Sequence, residues 1–389
     1  MRVVVLGAGA LGAAVALALS IRGARVTHIE SERPGAGTTS RGAGLVGEAL
    51  WHPASIRLAQ RSLEMLDELS RDGERSSHPF RFHTVGSTTL LAPRHVPAAR
   101  ALARMQAREG VPVREVEAND LVGLPRHAGM RVDDVALGLH YPRDGWALPR
   151  LYAEVCSLKA QLLGARHVRG EGRIMRDERG VAVWAAGERH EADAVVVACG
   201  VWTRRVLREA KLDAPLLAYR TQALRLPDPR AESVPNVHDL VQGLYLRPGL
   251  PRQLVAGDGT TTAPEDLLRW RAEADEAFVA HTLRRLTHRF PYLAGDARAV
   301  EAWAGIEAAT PDRLLLAGPH PHDPRVWLLA GGNGHGFMRA PAAGESLAER
   351  LLGERPRVDL APFDPARFPS MDADFPIREG FAIEGPALK

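Results

Sequence analysis

Lysine is nearly missing from this chain of 389 residues: it occurs at Lys159, Lys211 and Lys389, so almost all of the 50 basic side chains are arginines. They are dispersed among 47 acidic residues and leave a formal charge of +3. A nucleic-acid groove gathers its basic side chains on one face, whereas this pattern reads as a solvated surface. Cysteine is equally scarce. Cys156 and Cys199 form no paired motif, which argues against a disulfide scaffold and for a reducing, cytoplasmic setting. Beyond residue 21 there is no long uncharged apolar run. Residues 3–21 form the one such run, but only Arg2 precedes it and Gly7, Gly9 and Gly12 interrupt it, so it reads as neither signal peptide nor membrane span. Gly-x-Ser-x-Gly, Cys-x-x-Cys and His-Glu-x-x-His are all absent. His320-Pro-His322 reads as a polar loop, and His281 and His288 as exposed helix positions, so no metal is assigned.

What the chain does contain is concentrated at its start. An apolar run from Val3 to Leu6 leads into Gly7-Ala-Gly9-Ala10-Leu11-Gly12 and then a helix-like stretch. In a strand–turn–helix unit the first glycine permits the tight turn, the second lets a pyrophosphate approach the backbone, and the third lets helix and strand pack closely. A second strand, Arg25 to Ile29, delivers Glu30, whose carboxylate can accept from a ribose hydroxyl and would repel a 2′-phosphate. The reading is a dinucleotide site.

Ser31 to Leu45 follows, dense in small residues and hydroxyls. Such a loop cannot fill a core, and its use is close backbone approach to an extended ligand. Near the other end, the buried-strand run Val326 to Ala330 meets a helical stretch from Ala340 to Leu352 through Gly331, Gly332, Gly334 and Gly336. A second glycine-rich helix N-terminus would stabilise negative charge. With 45% hydrophobic and 25% charged residues, the chain can build two domains, each with its own core.

Gly7 to Glu30, followed by Gly37-Thr38-Thr39-Ser40-Arg41-Gly42-Ala43-Gly44, resembles the N-terminus of the D-amino-acid oxidase superfamily of FAD-dependent oxidoreductases. Asp144 to Pro149, Ala192 to Trp202, Trp303 to Asp312 and Leu328 to Met338 continue the resemblance in order. Glycine oxidase, sarcosine oxidase and proline or dimethylglycine dehydrogenases are the nearest types. The implied fold is α/β (α+β overall): a Rossmann-like FAD-binding domain from residues 1–80, 141–213 and 301–356, a sheet-containing substrate domain from 81–140 and 214–300, and an extension over 357–389 packed on the surface or on a partner. Strands are expected at Tyr219–Leu226, Leu244–Arg247 and Gln253–Ala256, and a long helix from a capping box at Thr262–Glu265 to Pro291.

The resemblance implies that FAD is held non-covalently. Its expected contacts are the fingerprint residues with Glu30, then Ser31, Arg33, Thr38, Thr39, Ser40, Arg41, Ala43 and Gly44 of the loop. Arg173, Ala198, Gly200, Trp202 and Gly305 are expected beside it, with Gly332, Asn333, Gly334, His335, Gly336, Phe337 and Met338. A flavin-bonding histidine of dimethylglycine-dehydrogenase-like members falls at Arg41, and the cysteine used by the sarcosine-oxidase type is missing. The implied reaction is hydride transfer from a carbon bearing an amine to flavin N5, giving an imine. Tyr245 matches a substrate-facing tyrosine, and His335 can polarise substrate or flavin. The arginine that pairs with a substrate carboxylate in glycine-oxidase-like members is Glu307 here, the corresponding sarcosine-oxidase lysine is Met338, and its loop arginine falls at Gly47. Arg220 or Arg247 is a possible replacement clamp; a cationic or neutral amine that prefers Glu307 is the other option, and Glu307 as a surface acid a third. A lysine that assists oxygen reduction falls at Val255, which tilts the expectation from oxidase to dehydrogenase. The alternatives are a flavoprotein subunit of a multi-chain dehydrogenase, or an NAD-dependent dehydrogenase using the same fingerprint. Expected partners are a small amine or amino-acid-like substrate and an electron acceptor; a homo-oligomer or partner subunit stays open.

Overall fold

The apolar run Val3–Leu6 is buried on both sides, as a strand at the centre of a parallel sheet must be. The computed structural model describes residues 1–377 apart from 77, 125, 128, 179, 250, 260, 264–266, 268, 296 and 373–374. Among the described residues, Arg2–Leu6 lies between Arg25–Glu30 and Ala194–Val197 in a six-stranded sheet, with Arg166–Arg169 at one edge and Asp323–Ala330, then antiparallel Leu316–His320, at the other. Alternate residues serve opposite faces. Val3 and Val5 pack with Val15, Leu19, Ala343 and Leu347 of covering helices, while Val4 and Leu6 pack with Val181, Val183, Val195 and Val197.

Alanine and glycine govern the helical layer. The helix Ala10–Ile21 is buried along Ala10, Gly12, Ala13, Ala14, Val15 and Ala16, because small side chains let it sit against both the sheet and the helix Gly336–Leu351. At that crossing a Cβ on Gly344 would fall 2.6 Å from Ala14 Cβ. The extension expected over 357–389 folds back on the chain in its described part: Val358, Leu360 and Phe363 enter the same core, Asp364 pairs with Arg350, and Phe375 and Ile377 pack against fully buried Tyr219.

The second large sheet has eight strands among the described residues, in the order Glu301–Ala309, Leu217–Pro227, Gln253–Gly257, Leu244–Gly249, Asn236–Asp239, Ser87–Leu91, Leu137–Tyr141 and Arg114–Glu117. The helix Glu276–Arg289 covers one face through Phe278 and Leu286, and its buried Arg289 ion-pairs with Asp239 and Asp134. Two expectations are corrected here. Residues 301–309, assigned above to the nucleotide domain, form nine register pairs with residues 217–225 and so belong to this second sheet. The helix starts at Glu276 after Asp275, not at Thr262, because Thr262 is held in a β-bridge to Arg220; Glu265 of the expected capping box lies outside the described residues.

Candidate active site

The three fingerprint glycines divide their labour. Gly7 has φ +94°, and a Cβ there would lie 2.5 Å from Ala198 O; on Gly12 it would lie 1.9 Å from Gly7 O. These two positions are closed by the protein's own packing. Gly9 is different: an added Cβ meets only Thr39 Oγ1, at 3.1 Å, and Gly9 borders a cavity of about 470 Å³. The helix Ala10–Ile21 starts at Gly9 with no side-chain cap from that residue, and Thr39 Oγ1 accepts from Ala10 N at 3.0 Å. Thr39 thus takes the Ala10 amide, and Gly9, Ala10 and Leu11 line the cavity at the partially positive end of the helix. The Glu30 carboxylate lies on the lining, oriented by Ala8 N at 2.7 Å and Glu32 N at 3.0 Å.

From Glu30 the cavity passes Thr38, Thr39, Ala43 and Gly44 and reaches Gly332, Gly334, His335, Gly336, Phe337 and Met338. The loop approaches the strand Gly145–Ala147 too closely for a side chain: a Cβ on Gly44 would fall 2.1 Å from Ala147 O, and one on Gly47 would fall 2.2 Å from Asp144 Oδ2. The far end is closed by the inner face of the second sheet, where Thr221, His238, Tyr245 and Glu307 line the wall. His238 faces Tyr245 across a strand pair, and Tyr245 in turn faces Gly257, where a Cβ would collide with its hydroxyl at 2.4 Å.

Burial sets the charges at this end. Glu307 Oε2 accepts from Tyr219 OH at 3.0 Å, and its carboxylate also accepts from the Gly334 amide; burial raises its pKa while both donors oppose the rise. His335 is pushed down to about 3, first by burial and then by Arg339, and His238 to about 4 by burial. Both imidazoles are neutral at physiological pH. His335 Nδ1 lies 2.8 Å from Asn333 O, and because a carbonyl can only accept, Nδ1 carries the proton and Nε2 the lone pair. Its ring meets Trp51 edge-on at 4.9 Å.

Several expected site residues lie elsewhere. Arg220 is turned out of the cavity into Asp275, at 3.0 Å, and the carbonyls of Arg271 and Glu273. Arg247 is buried under Trp146 and donates to Ala43 O and Pro248 O; burial lowers it to about 9, and it is not on the lining. Arg33 reaches Glu154, Ser40 bonds the Ala36 and Gly37 carbonyls, and Arg41 lies over Trp270 and donates to Ala304 O. Asn333 folds inward onto Thr310 and Gly331 O. Gly12 and Gly305 serve packing: a Cβ on Gly305 would meet Arg41 Cβ at 3.2 Å. Arg173, Ala198, Gly200, Trp202, Leu11 and Ser31 do line the cavity. His238 and Thr221 also line it and were not expected; each sits on a strand whose inward face becomes visible only once the sheet is assembled. Among the described residues no group of His, Cys, Asp and Glu can hold a metal, and His320 instead bonds Asp213 O.

The FAD dependent oxidoreductase (DAO) family model matches residues 2–350. The chain belongs to this family. Family membership replaces the nicotinamide alternative. The glycine oxidase of Pseudomonas aeruginosa is 29% identical over 385 residues, covering 94% of this chain and 98% of that protein. Among solved structures, L-proline dehydrogenase from P. horikoshii superposes with a TM-score of 0.87 at 24% identity, covering 94% of this chain and 97% of that one. Glycine oxidase from Geobacillus kaustophilus gives 0.85 at 23% identity, covering 95% and 100%. At these identities the structural likeness establishes a shared α/β fold. The cavity fits the family's cofactor: it is continuous from the Glu30 carboxylate to Tyr245, and it passes Gly9 where a side chain would intrude. No described helix is long and apolar enough to cross a membrane.

Proposed function

We propose that this FAD-dependent oxidoreductase oxidises the C–N bond of a small amine or amino acid, and that it is a dehydrogenase binding FAD without a covalent link. One observation carries the reading: a single cavity joins the dinucleotide fingerprint to a wall made by Thr221, His238, Tyr245 and Glu307. Glu30 would hold the adenosine ribose, the Gly9 and Leu11 amides with Thr38 and Thr39 the pyrophosphate, and Ala43, Gly44 and Gly332–Met338 the flavin ring. Bound FAD would supply the hydride acceptor. The backbone entering the helix Gly336–Leu351 is suited to oppose negative charge on the ring. Tyr245 and His238 shut out water and orient the carbon that loses hydride, and the His335 Nε2 lone pair can accept a hydrogen bond from the substrate or the ring. The imine product hydrolyses in water to a carbonyl compound and an amine.

Support for dehydrogenase behaviour comes from the sheet. Val255, 2% exposed, is the position at which the resemblance puts the lysine of sarcosine-oxidase-like members, Lys159 is occupied by Asp72 at 2.5 Å, and Lys211 lies in a turn past the helix Thr203–Glu209. A valine cannot stabilise developing superoxide. The test is anaerobic mixing of purified protein with amines, N-methyl amino acids, imino acids and 2-hydroxy acids. An amine or amino acid should bleach the flavin band, and 2-hydroxy acids should not. Reoxidation should be much faster with a quinone or dye than with aerated buffer, and acid precipitation should release all yellow colour. Equal reoxidation by oxygen returns the chain to the oxidases.

A further inference from the structure

Charge at the substrate end is one-sided. Glu307 is the acid there, with His238 and His335 neutral beside it. The lining includes two arginines, Arg173 and Arg205, but both belong to the Glu30 end: Gly170 N bonds Glu30 O at 2.8 Å, Arg205 approaches Glu171 and Glu209 at 3.9 and 3.6 Å, and Arg173 approaches the same Glu209 at 3.9 Å. The arginines packed behind the substrate wall are already engaged. Arg220 is held by Asp275 and two carbonyls, Arg247 by two carbonyls, and Arg339 by Gly332 O, His335 O and Ser55 Oγ, while Arg313, buried and off the lining, lies over the Trp51 ring and acts on Tyr219 and His335 through its field.

A carboxylate entering this end would lose its water without meeting a cation among the described lining residues and would lie beside the Glu307 carboxyl group, the costly arrangement for a buried charge. An ammonium group faces the opposite situation. The Glu307 carboxylate has about four lone-pair sites. Tyr219 OH and the Gly334 amide take two of them and hold the group in place, leaving acceptor capacity toward the cavity that it lines. We infer that the site selects a cationic amine lacking a carboxylate, with Glu307 as the residue that determines this specificity. The discrimination works in both directions, by a charge-assisted hydrogen bond to the preferred ligand and by repulsion of the anion. It rests on the reading that substrate meets the flavin at this wall.

The experiment uses two ligands that share a tert-butyl body and have no α-hydrogen to lose, tert-butylammonium and pivalate. Each is titrated into the FAD-loaded protein, read by calorimetry and by the shift of the flavin band. Tert-butylammonium is expected to bind about ten- to a hundredfold tighter, the range for one hydrogen bond to a charged group. Glu307→Gln, which keeps an acceptor for Tyr219, should erase most of that ratio while FAD occupancy stays full. Pivalate binding as tightly as the ammonium, neither ligand binding, or an unchanged ratio in Glu307→Gln each overturns the inference. The wild-type ratio stands as a test if the variant does not fold. Tight ammonium binding with no bleaching by any amine would sink the oxidation reading alone.

Discussion

At the scale of single residues, the two glycines Gly9 and Gly12 separate ligand binding from folding. Gly12→Ala drives a methyl into Gly7 O and should cost about 1–3 kcal/mol or more of stability, seen as a lower Tm whether or not FAD is present. Gly9→Val should leave the apoprotein within about 1 kcal/mol of wild type, because its nearest neighbour is the movable Thr39 hydroxyl, yet abolish FAD retention. The ratio of flavin to protein absorbance together with thermal unfolding of the apoproteins checks both, and a yellow, fully loaded Gly9→Val would displace the phosphate site from this turn. The fingerprint was legible in the sequence because its logic is local: the strand, three glycines, helix and acid lie within thirty residues. Arg220 and Arg247, possible clamps in the sequence, are drawn off the cavity for the opposite reason. Their acceptors, Asp275 and the Ala43 carbonyl, lie 55 and 204 positions away, and no local pattern announces them.

At the scale of elements, the turn between Leu137–Tyr141 and Gly145–Ala147 is held by one carboxyl group. Asp144, 2% exposed, accepts from Ser87 Oγ at 2.5 Å and Glu48 N at 3.0 Å, and its carbonyl takes Gly86 N at 2.9 Å. It thereby ties the cofactor loop, by way of Glu48, to the start of a strand of the second sheet. Burial pushes Asp144 up to about 7, far above the 3.8 of a free aspartate. The native state therefore binds a proton that the unfolded chain has released, so this group's contribution is present below about pH 4 and is lost as pH rises toward 7. Asp144→Asn should remove that slope: relative to wild type the variant gains on the order of 4 kcal/mol at pH 8 and almost nothing at pH 4. Urea unfolding at both pH values reads the difference, and parallel profiles would place the Asp144 proton elsewhere. The helix expected from Thr262 shows the same limit of local reading. A capping-box pattern scored without knowledge of the Arg220–Thr262 bridge favours a start that the assembled sheet forbids.

At the scale of the whole molecule, two sheets meet with the cofactor cavity along their junction, and the chain crosses between them repeatedly. The strands expected at Tyr219–Leu226, Leu244–Arg247 and Gln253–Ala256 all form, but which sheet owns Glu301–Ala309 depends on the nine residue pairs it makes with 217–225. That strand brings Glu307 to the cavity and Tyr219 opposite it. Behind Tyr219 lie Phe375 and Ile377, so the last described turn of chain forms the back wall of the group that grips the specificity-determining carboxylate. Proteolytic clipping therefore becomes a way to alter ligand choice. A chain trimmed at Ser370 should keep its FAD and its fold while binding tert-butylammonium several-fold more weakly, because Tyr219 is no longer pressed toward Glu307. Limited proteolysis followed by the same titration measures this, and an unaltered affinity would show that Tyr219 keeps its position without the tail. A cell that processed this end of the protein would be editing substrate preference from the outside, with no change to any residue that the substrate touches.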